Sequence, residues 1–352
     1  MGNKTAPGYI LVLTMIMISL LTVVVTQMFF SGSLFSSFAS IAVQREKAKM
    51  LAESGVHIAC GQLYIPAAKQ EQPVITVGQQ KQQKQEPVDQ NKKLLEKVLP
   101  LLNIWQTFVF NQKVDGAEGT VNIYITCEEG KIHLNDLLTI MTDAKLPEKR
   151  VALLKRLFSK IAEINGIADD LYQSSIDFFE QRKHIWLNDV TELLNARGFA
   201  KFSDYVFARM PVTKKEKKPH LFLTDLFTPQ SRYGKLDPWV LSNSVRLVLG
   251  MRSPDDSKIQ DGLKTALTKS YKKNYNWRVD WDMIFKPVYG IEYAALGEEI
   301  ASLLSPEFNP VAFTVVSYAT VGKVTQGVFS LLLRKKQQDQ SIVFIPIKSY
   351  WI

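Results

Sequence analysis

Residues 1–30, MGNKTAPGYILVLTMIMISLLTVVVTQMFF, set an uncharged apolar run directly behind a short basic leader. No charge occurs between Tyr9 and Phe30. At ~1.5 Å per helical residue the run covers roughly 33 Å, against roughly 30 Å of bilayer hydrocarbon. A membrane-spanning helix is the expectation. Three readings are open: a cleaved secretory signal, a plain signal anchor, or a processed anchor. A secretory signal carries an apolar region of about 7–15 residues, then a small-x-small cleavage site. This run is longer, although SGSLFSSFASIAV (31–43) offers small residues and leaves ordinary cleavage open. Lys4 ahead of the run favours a cytoplasmic N-terminus, with the rest of the chain outside the cytoplasm.

The apolar pattern does not stop where a membrane would. Leu34, Phe38, Ile41, Ala48, Ala52, Val56, Ala59 and Leu63 continue in the register of an amphipathic helix, with Arg45 as the polar entry. The spacing predicts one helix from Tyr9 to about Leu63, roughly 80 Å long. Gly32 is its soft point.

The chain has 352 residues, which favours two or three domains. Its hydrophobic content of 46% is ordinary, and no later stretch is apolar enough to span a bilayer. The net charge of +9 would suit an acidic partner. The lysines gather in KQQKQ and KKEKK, however, beside Pro, Gln or Glu, and such runs read as solvated loops.

Residues 66–93 are rich in Gln and Lys, a linker or loop composition. LLEKVLPLLNIW reads as a short helix, and QTFVFNQ and GTVNIYIT as strands joined by the Gly- and Asp-rich turn KVDGAEG. In CEEGKIHLNDLL, Gly130 permits a tight turn and Asn135 is the expected N-cap of the next helix. From about 136 to 306 the chain reads as mostly helical. LPEKRVALLKRLFSKIAEI is a periodic helix, and INGIADDLYQSSIDFFEQR reads as a helix-hairpin-helix. Asp169 and Asp170 stand where nucleic-acid-binding hairpins meet phosphate, so nucleic acid is not the expected partner. GKLDPWVLSNSVRLVLG echoes GKIHLNDLL, with Asp237 as the cap and Pro238 in the first turn of a helix. Residues 309–352 return to apolar, β-branched runs separated by Gly322-Lys323 and RKKQQDQ, an antiparallel meander. The fold class is α+β, with strands before and after an inserted helical block.

Nothing in the sequence carries catalysis. His57, His133, His184 and His220 have no partner at metal-ligand spacing, and no nucleophile or phosphate-loop motif occurs. The chain is read as no enzyme. Cys60 and Cys127 either form a disulfide outside the cytoplasm or stay as buried thiols. Asp255, Asp256 and Asp261 form either a solvated acidic loop or a weak calcium candidate, and no metal site is committed.

The first 60 or so residues resemble the N-terminal helix of type IV pilins: a basic leader ending in Gly8, an uncharged first half, an amphipathic second half. The resemblance implies cleavage between Gly8 and Tyr9 by a prepilin peptidase, then N-methylation of Tyr9. Pilins carry Glu at the fifth mature position, where this chain has Leu13. A carboxylate in hydrocarbon is costly unless paired, and a subunit with no neighbour above it has no need of one. That departure resembles the general secretion pathway protein K family, the large minor pseudopilins of type II secretion. So do Glu128, Gly130, Lys131, Ile132, Leu134 and Asn135 after a strand, with His133 in place of the usual Asn, and Ser305, Phe308 and Arg334 around the closing strands.

The resemblance spans nearly the whole chain. It implies a leader (1–8), a membrane and amphipathic helix (9–65), a linker (66–93) and a pseudopilin α/β part (94–130). A helical insertion with two related halves (131–307) and a closing β-meander (308–352) complete it. It further implies inner-membrane anchoring with the bulk in the periplasm. Leu11, Leu13, Ile16, Leu20 and Val24 would pack on I- and J-type minor pseudopilins and the major pseudopilin. Secreted cargo is an additional partner, and calcium is bound in some members of the family. The alternative is a minor pilin of a type IV pilus or DNA-uptake apparatus using the helical units on nucleic acid.

Overall fold

A computed structural model of the chain describes residues 8–66, 90–141, 148–182, 186–210, 220–230, 235–251, 258–270, 281–304, 310–339 and 341–352. In chain order they form α1 (Gly8–Leu63), α2 (Gln90–Val98), β1 (Trp105–Phe110), α3 (Gln112–Asp115), β2 (Gly119–Cys127), β3 (Ile132–His133), α4 (Leu134–Met141), α5 (Glu148–Asn165), α6 (Leu171–Glu180), β4 (Phe227–Thr228), β5 (Ala312–Val321), β6 (Val324–Lys336) and β7 (Ile342–Trp351). Short helices lie between α6 and β5, among them Asn243–Val248 and Asp282–Tyr289.

α1 is one helix of 56 residues, about 84 Å long. It passes through Gly32 without a break, so the expected soft point is not a kink. Among the described residues, only its C-terminal part meets the rest of the chain. Ala48, Ala52, Val56, Ala59 and Leu63 are buried against one face of a five-stranded antiparallel sheet of order β1-β2-β5-β6-β7. Small residues on the helix allow a close approach. A Cβ on Gly55 would stand 2.1 Å from Ser317 Oγ and 2.9 Å from Val121 Cγ1. The sheet side of this core is Val121, Ile123, Val315, Ala319 and Val328, which alternate along their strands as a half-buried sheet requires.

The sheet's second face carries one cross-strand row, Trp105, Tyr124, Val316, Phe329 and Tyr350, in direct register from one edge to the other. Trp105 stacks on Tyr124 at 5.1 Å and Phe329 on Tyr350 at 5.9 Å. Phe207, on a strap from the helical block, lies 5.1 Å from Phe329.

The turn between β1 and β2 holds a single helical turn, α3. Asn111 caps it by accepting from Lys113 N, and Gly116 closes it in the left-handed region at φ 71°. Residues 90–93, expected in the linker, are helical as the start of α2, while 67–89 lie outside the described residues. α5 and α6 form the expected helical hairpin. Gly166 turns at φ 65°, and Asp170 caps α6 by accepting from Tyr172 N and Gln173 N. Asp169 pairs with Lys201 at 3.0 Å, so the acids of this hairpin serve the protein's own structure.

Two capping expectations are corrected. α4 already starts at Leu134, so Asn135 is not its cap. The buried Asn135 amide instead holds the backbone of Leu187, accepting from its N–H at 2.7 Å and donating to its carbonyl at 3.0 Å. Asp237 and Pro238 do not open a helix. Asp237 accepts from Trp239 N in a turn, and the helix starts at Asn243 behind the Ser242 cap.

The block between β2 and β5 leaves and re-enters the sheet at adjacent points, since Cys127 and Phe313 are register partners. Both lie at the end of the sheet away from the Gly322-Lys323 turn. That turn meets Gln44, where α1 departs. The helical block therefore crowns one end and the free part of α1 leaves from the other.

Candidate assembly surface

From Tyr9 to Val43 every residue of α1 is exposed, large apolar side chains included. Leu13, Ile16, Leu20 and Val24 are 51%, 54%, 61% and 48% exposed, so this stretch has no packing partner among the described residues. Four of its hydroxyls bond inside the helix. Thr14 donates to Leu11 O, Thr22 to Ile18 O, Thr26 to Thr22 O and Ser37 to Ser33 O. A helix with no charge that turns these hydroxyls onto its own backbone suits hydrocarbon, which offers polar groups nothing to bond. It is the one helix long and apolar enough to cross a membrane among the described residues.

The candidate packing residues do not all share a side. At ~100° per residue, Leu13, Ile16, Leu20 and Val24 fall within roughly 80° of arc, and Leu11 points to the opposite side. Leu11 therefore cannot meet the same partner helix as the other four. Gly8 is the first helical residue and Tyr9 is exposed next to it, while 1–7 lie outside the described residues.

The other end of the molecule is held by a buried polar seam. Glu128 and Lys131, 4% and 1% exposed at their side chains, pair at 2.5 Å. Lys131 also donates to Thr314 Oγ1 at 3.0 Å, and the Thr314 hydroxyl donates to Glu128. Glu129 accepts from Val311 N at 2.8 Å and from the Cys127 thiol at 3.2 Å. Its carbonyl accepts from Asp237 N, and the Gly130 carbonyl accepts from Ser242 N. The two echoing Gly-Lys segments thus pack on each other. On the neighbouring face Asp189 receives Lys348 and Tyr350 from β7, beside a cavity of about 30 Å³, room for one water. Burial tends to raise Asp189, but the bonds from Lys348 and Thr191 leave its carboxyl below the usual range.

Burial pushes the Glu129 carboxyl up to about 6, against the pull of its Val311 and Cys127 donors. Burial raises Asp237 too, with Glu129 adding to the shift. A carboxyl raised on folding prefers its protonated form in the native state. Its stabilising share is present below the ordinary value near 4.5 and is lost as pH rises through about 6. Glu129 alone should cost the fold about 2 kcal/mol between pH 4 and pH 7. Chemical-denaturation curves at the two pH values should show Glu129→Gln without that share of the pH dependence.

Cys60 and Cys127 are free thiols, so the candidate disulfide is not formed. Burial raises both, and Cys127 is raised further by Glu129, which keeps it a hydrogen-bond donor. Asp255, Asp256, Ser305, Phe308 and His184 lie outside the described residues. Asp261 is exposed in the first turn of the helix Lys258–Ser270. No group of three acidic, His or Cys side chains fit to hold a metal occurs among the described residues. Arg334 binds Asn91 and the Pro310 carbonyl, which ties the end of β6 to α2 and to the chain's return into the sheet. The seam was not visible in the sequence. Glu128, Lys131 and Thr314 meet across more than 180 positions, and only the strand-end placement of EEGK hinted at it.

No protein-family model matches the chain, and no curated protein matches it in sequence. Among solved structures, a chain in the crystal structure of the GspK-GspI-GspJ complex from the type 2 secretion system of enterotoxigenic Escherichia coli is similar at a TM-score of 0.38 and 12% identity. The match covers 74% of this chain and 93% of that one.

Proposed function

We propose that the chain is an inner-membrane-anchored minor pseudopilin that starts and caps a periplasmic filament of the type II secretion kind, working by helix packing and not by catalysis. The observation that carries this reading is the division of α1. Its C-terminal part is built into the sheet core, and its uncharged N-terminal part projects with no partner among the described residues. A subunit of that shape is incomplete alone. Its projecting part serves first as a membrane anchor and then as a strand of a helical bundle with other minor pseudopilins. Leu13, Ile16, Leu20 and Val24 supply the packing side. Leu13 in place of a carboxylate suits a position with no neighbour above. The helical block crowns the end away from the projecting helix, which is where a cap belongs.

The test is intact mass and N-terminal sequencing of membrane-extracted protein, with and without prepilin peptidase. The expected product begins at Tyr9, N-methylated, only when the peptidase is present. Gly8→Glu should leave the leader attached in both cases and abolish co-purification with partner pseudopilins. A chain that keeps Met1 to Gly8 in both strains overturns the reading and leaves a plain signal anchor.

A further inference from the structure

The packing line of the membrane span does not end at Val24. Steps of three and four residues carry it through Gln27 and Leu34 to Ala48 and Ala52, all within about 120° of arc at ~100° per residue. Beyond Gln44 this line is the side buried against the chain's own sheet. Before Gln44 it is exposed, and no described residue covers it. One line on one unbroken helix is thus covered by the sheet at one end and open at the other.

Gln27 is the odd residue of the open part. It carries the one side-chain amide between Tyr9 and Val43. Thr22 and Thr26 beside it turn their hydroxyls onto the helix backbone at 2.7 Å. The Gln27 side chain is exposed and bonds to nothing among the described residues. About 27 Å of helix separate it from Tyr9 and about 26 Å from Gln44. It lies inside the hydrocarbon both for a span that starts at Tyr9 and for one centred on the charge-free run. Lipid offers an amide nothing to bond. A facing helix does, and a single polar residue in an apolar seam of this spacing fixes which helix pairs and in what register.

We propose that Gln27 is the register-setting contact of the anchor: its amide pairs, within the membrane span, with a hydrogen-bonding side chain on the helix of a second, different minor pseudopilin. The placement of the sheet decides against a second copy of this chain. A copy in register would bring its own sheet to the same side of its helix at the same height. Two unbroken helices touching at Gln27 leave no room for two sheets between them some 26 Å further on. The partner helix therefore follows the line before Gln44 and leaves it beneath the rim of this chain's sheet. The inference rests on the proposed function and adds to it the residue that selects the partner. Leu13, Ile16, Leu20 and Val24 supply packing area, and Gln27 supplies the register.

The experiment uses the full membrane-extracted chain with photo-reactive benzoylphenylalanine placed singly along the helix. It is reconstituted in vesicles of phosphatidylethanolamine with a minority of phosphatidylglycerol, together with a tagged I-type or J-type minor pseudopilin. Positions Val24 and Ser31, which flank Gln27 on the line, should cross-link to one of the two pseudopilins, and Ile18, Val25 and Phe29 on the opposite side should not. Gln27→Leu should raise the protein-to-lipid ratio at half-maximal cross-linking about three- to tenfold, and Gln27→Asn should recover part of that loss. Gln27 lies outside the folded core, so both variants keep the fold. An unchanged ratio in Gln27→Leu overturns the proposal, and so does cross-linking of Val24 and Ser31 chiefly to a differently tagged second copy. Cross-links from Leu20 that are indifferent to Gln27→Leu sink the amide contact alone, whereas no cross-link from any position between Leu13 and Ser31 sinks the proposed function as well.

Discussion

Lys131→Ala will lose about 3–5 kcal/mol of folding free energy. The ammonium is buried and is held by Glu128 at 2.5 Å and Thr314 at 3.0 Å. Its removal strands a buried carboxylate whose remaining partner is one hydroxyl. The pair itself need not be net stabilising against apolar residues of the same volume, because both charges were desolvated to form it. The large loss belongs to breaking it from one side. Lys131→Met keeps the volume and should be nearly as damaging. Adding Glu128→Gln should recover most of the loss, since no uncompensated charge then remains. Melting curves followed by circular dichroism in detergent should fall by about 6–20 °C for the single variants and by much less for the double. Equal losses in single and double variants would mean that shape, not charge, governs the seam.

Gly130→Ala should cost about 3 kcal/mol by a different route. The added Cβ would stand 1.9 Å from the Val240 carbonyl oxygen, 2.6 Å from its carbon and 3.1 Å from Leu241 Cα. All three are backbone atoms, so no side chain can swing aside. Relief requires the two Gly-Lys segments to part, breaking the bonds from Asp237 N to Glu129 O and from Ser242 N to Gly130 O. Hydrogen exchange distinguishes this from general destabilisation. The amides of Asp237 and Ser242 should lose protection while the β5–β6 amides keep theirs. Uniform loss across the sheet would show that the crown and the sheet unfold as one unit.

The parts legible in the sequence were those written in local periodicity. The long helix, the β1–β2 hairpin and the closing meander follow from spacings of three and four or from alternation over short runs. The α5–α6 hairpin follows from the pattern of INGIADDLYQSSIDFFEQR. Where the reading failed, a distant partner had taken over a residue with a strong local preference. Asn135 looked like a cap and serves as a bracket for Leu187. Pro238 looked like a helix opener, but Asp237 before it is committed to Glu129. The parallel pairing of Ile132–His133 with Phe227–Thr228 leaves no trace in either segment alone. Of the candidate surface, the apolar helix was legible at once. The separation of Leu11 from Leu13, Ile16, Leu20 and Val24 needed only a helical wheel, which identity of residue type had obscured.

The adjacency of Cys127 and Phe313 sets an order of events as the chain folds. β5, β6 and β7 are joined by short turns and can pair without waiting for anything upstream. The β2–β5 pairing instead must close the whole excursion from Cys127 to Phe313. For a flexible loop of that length closure costs about 4–5 kcal/mol in chain entropy, before any contact offsets it. A crown that has already condensed brings its two ends together and removes most of that cost. The nascent chain therefore gains from finishing the helical block first and zipping the sheet last. A variant that slows the block, such as Gly130→Ala, should delay the sheet without weakening any strand pair in it.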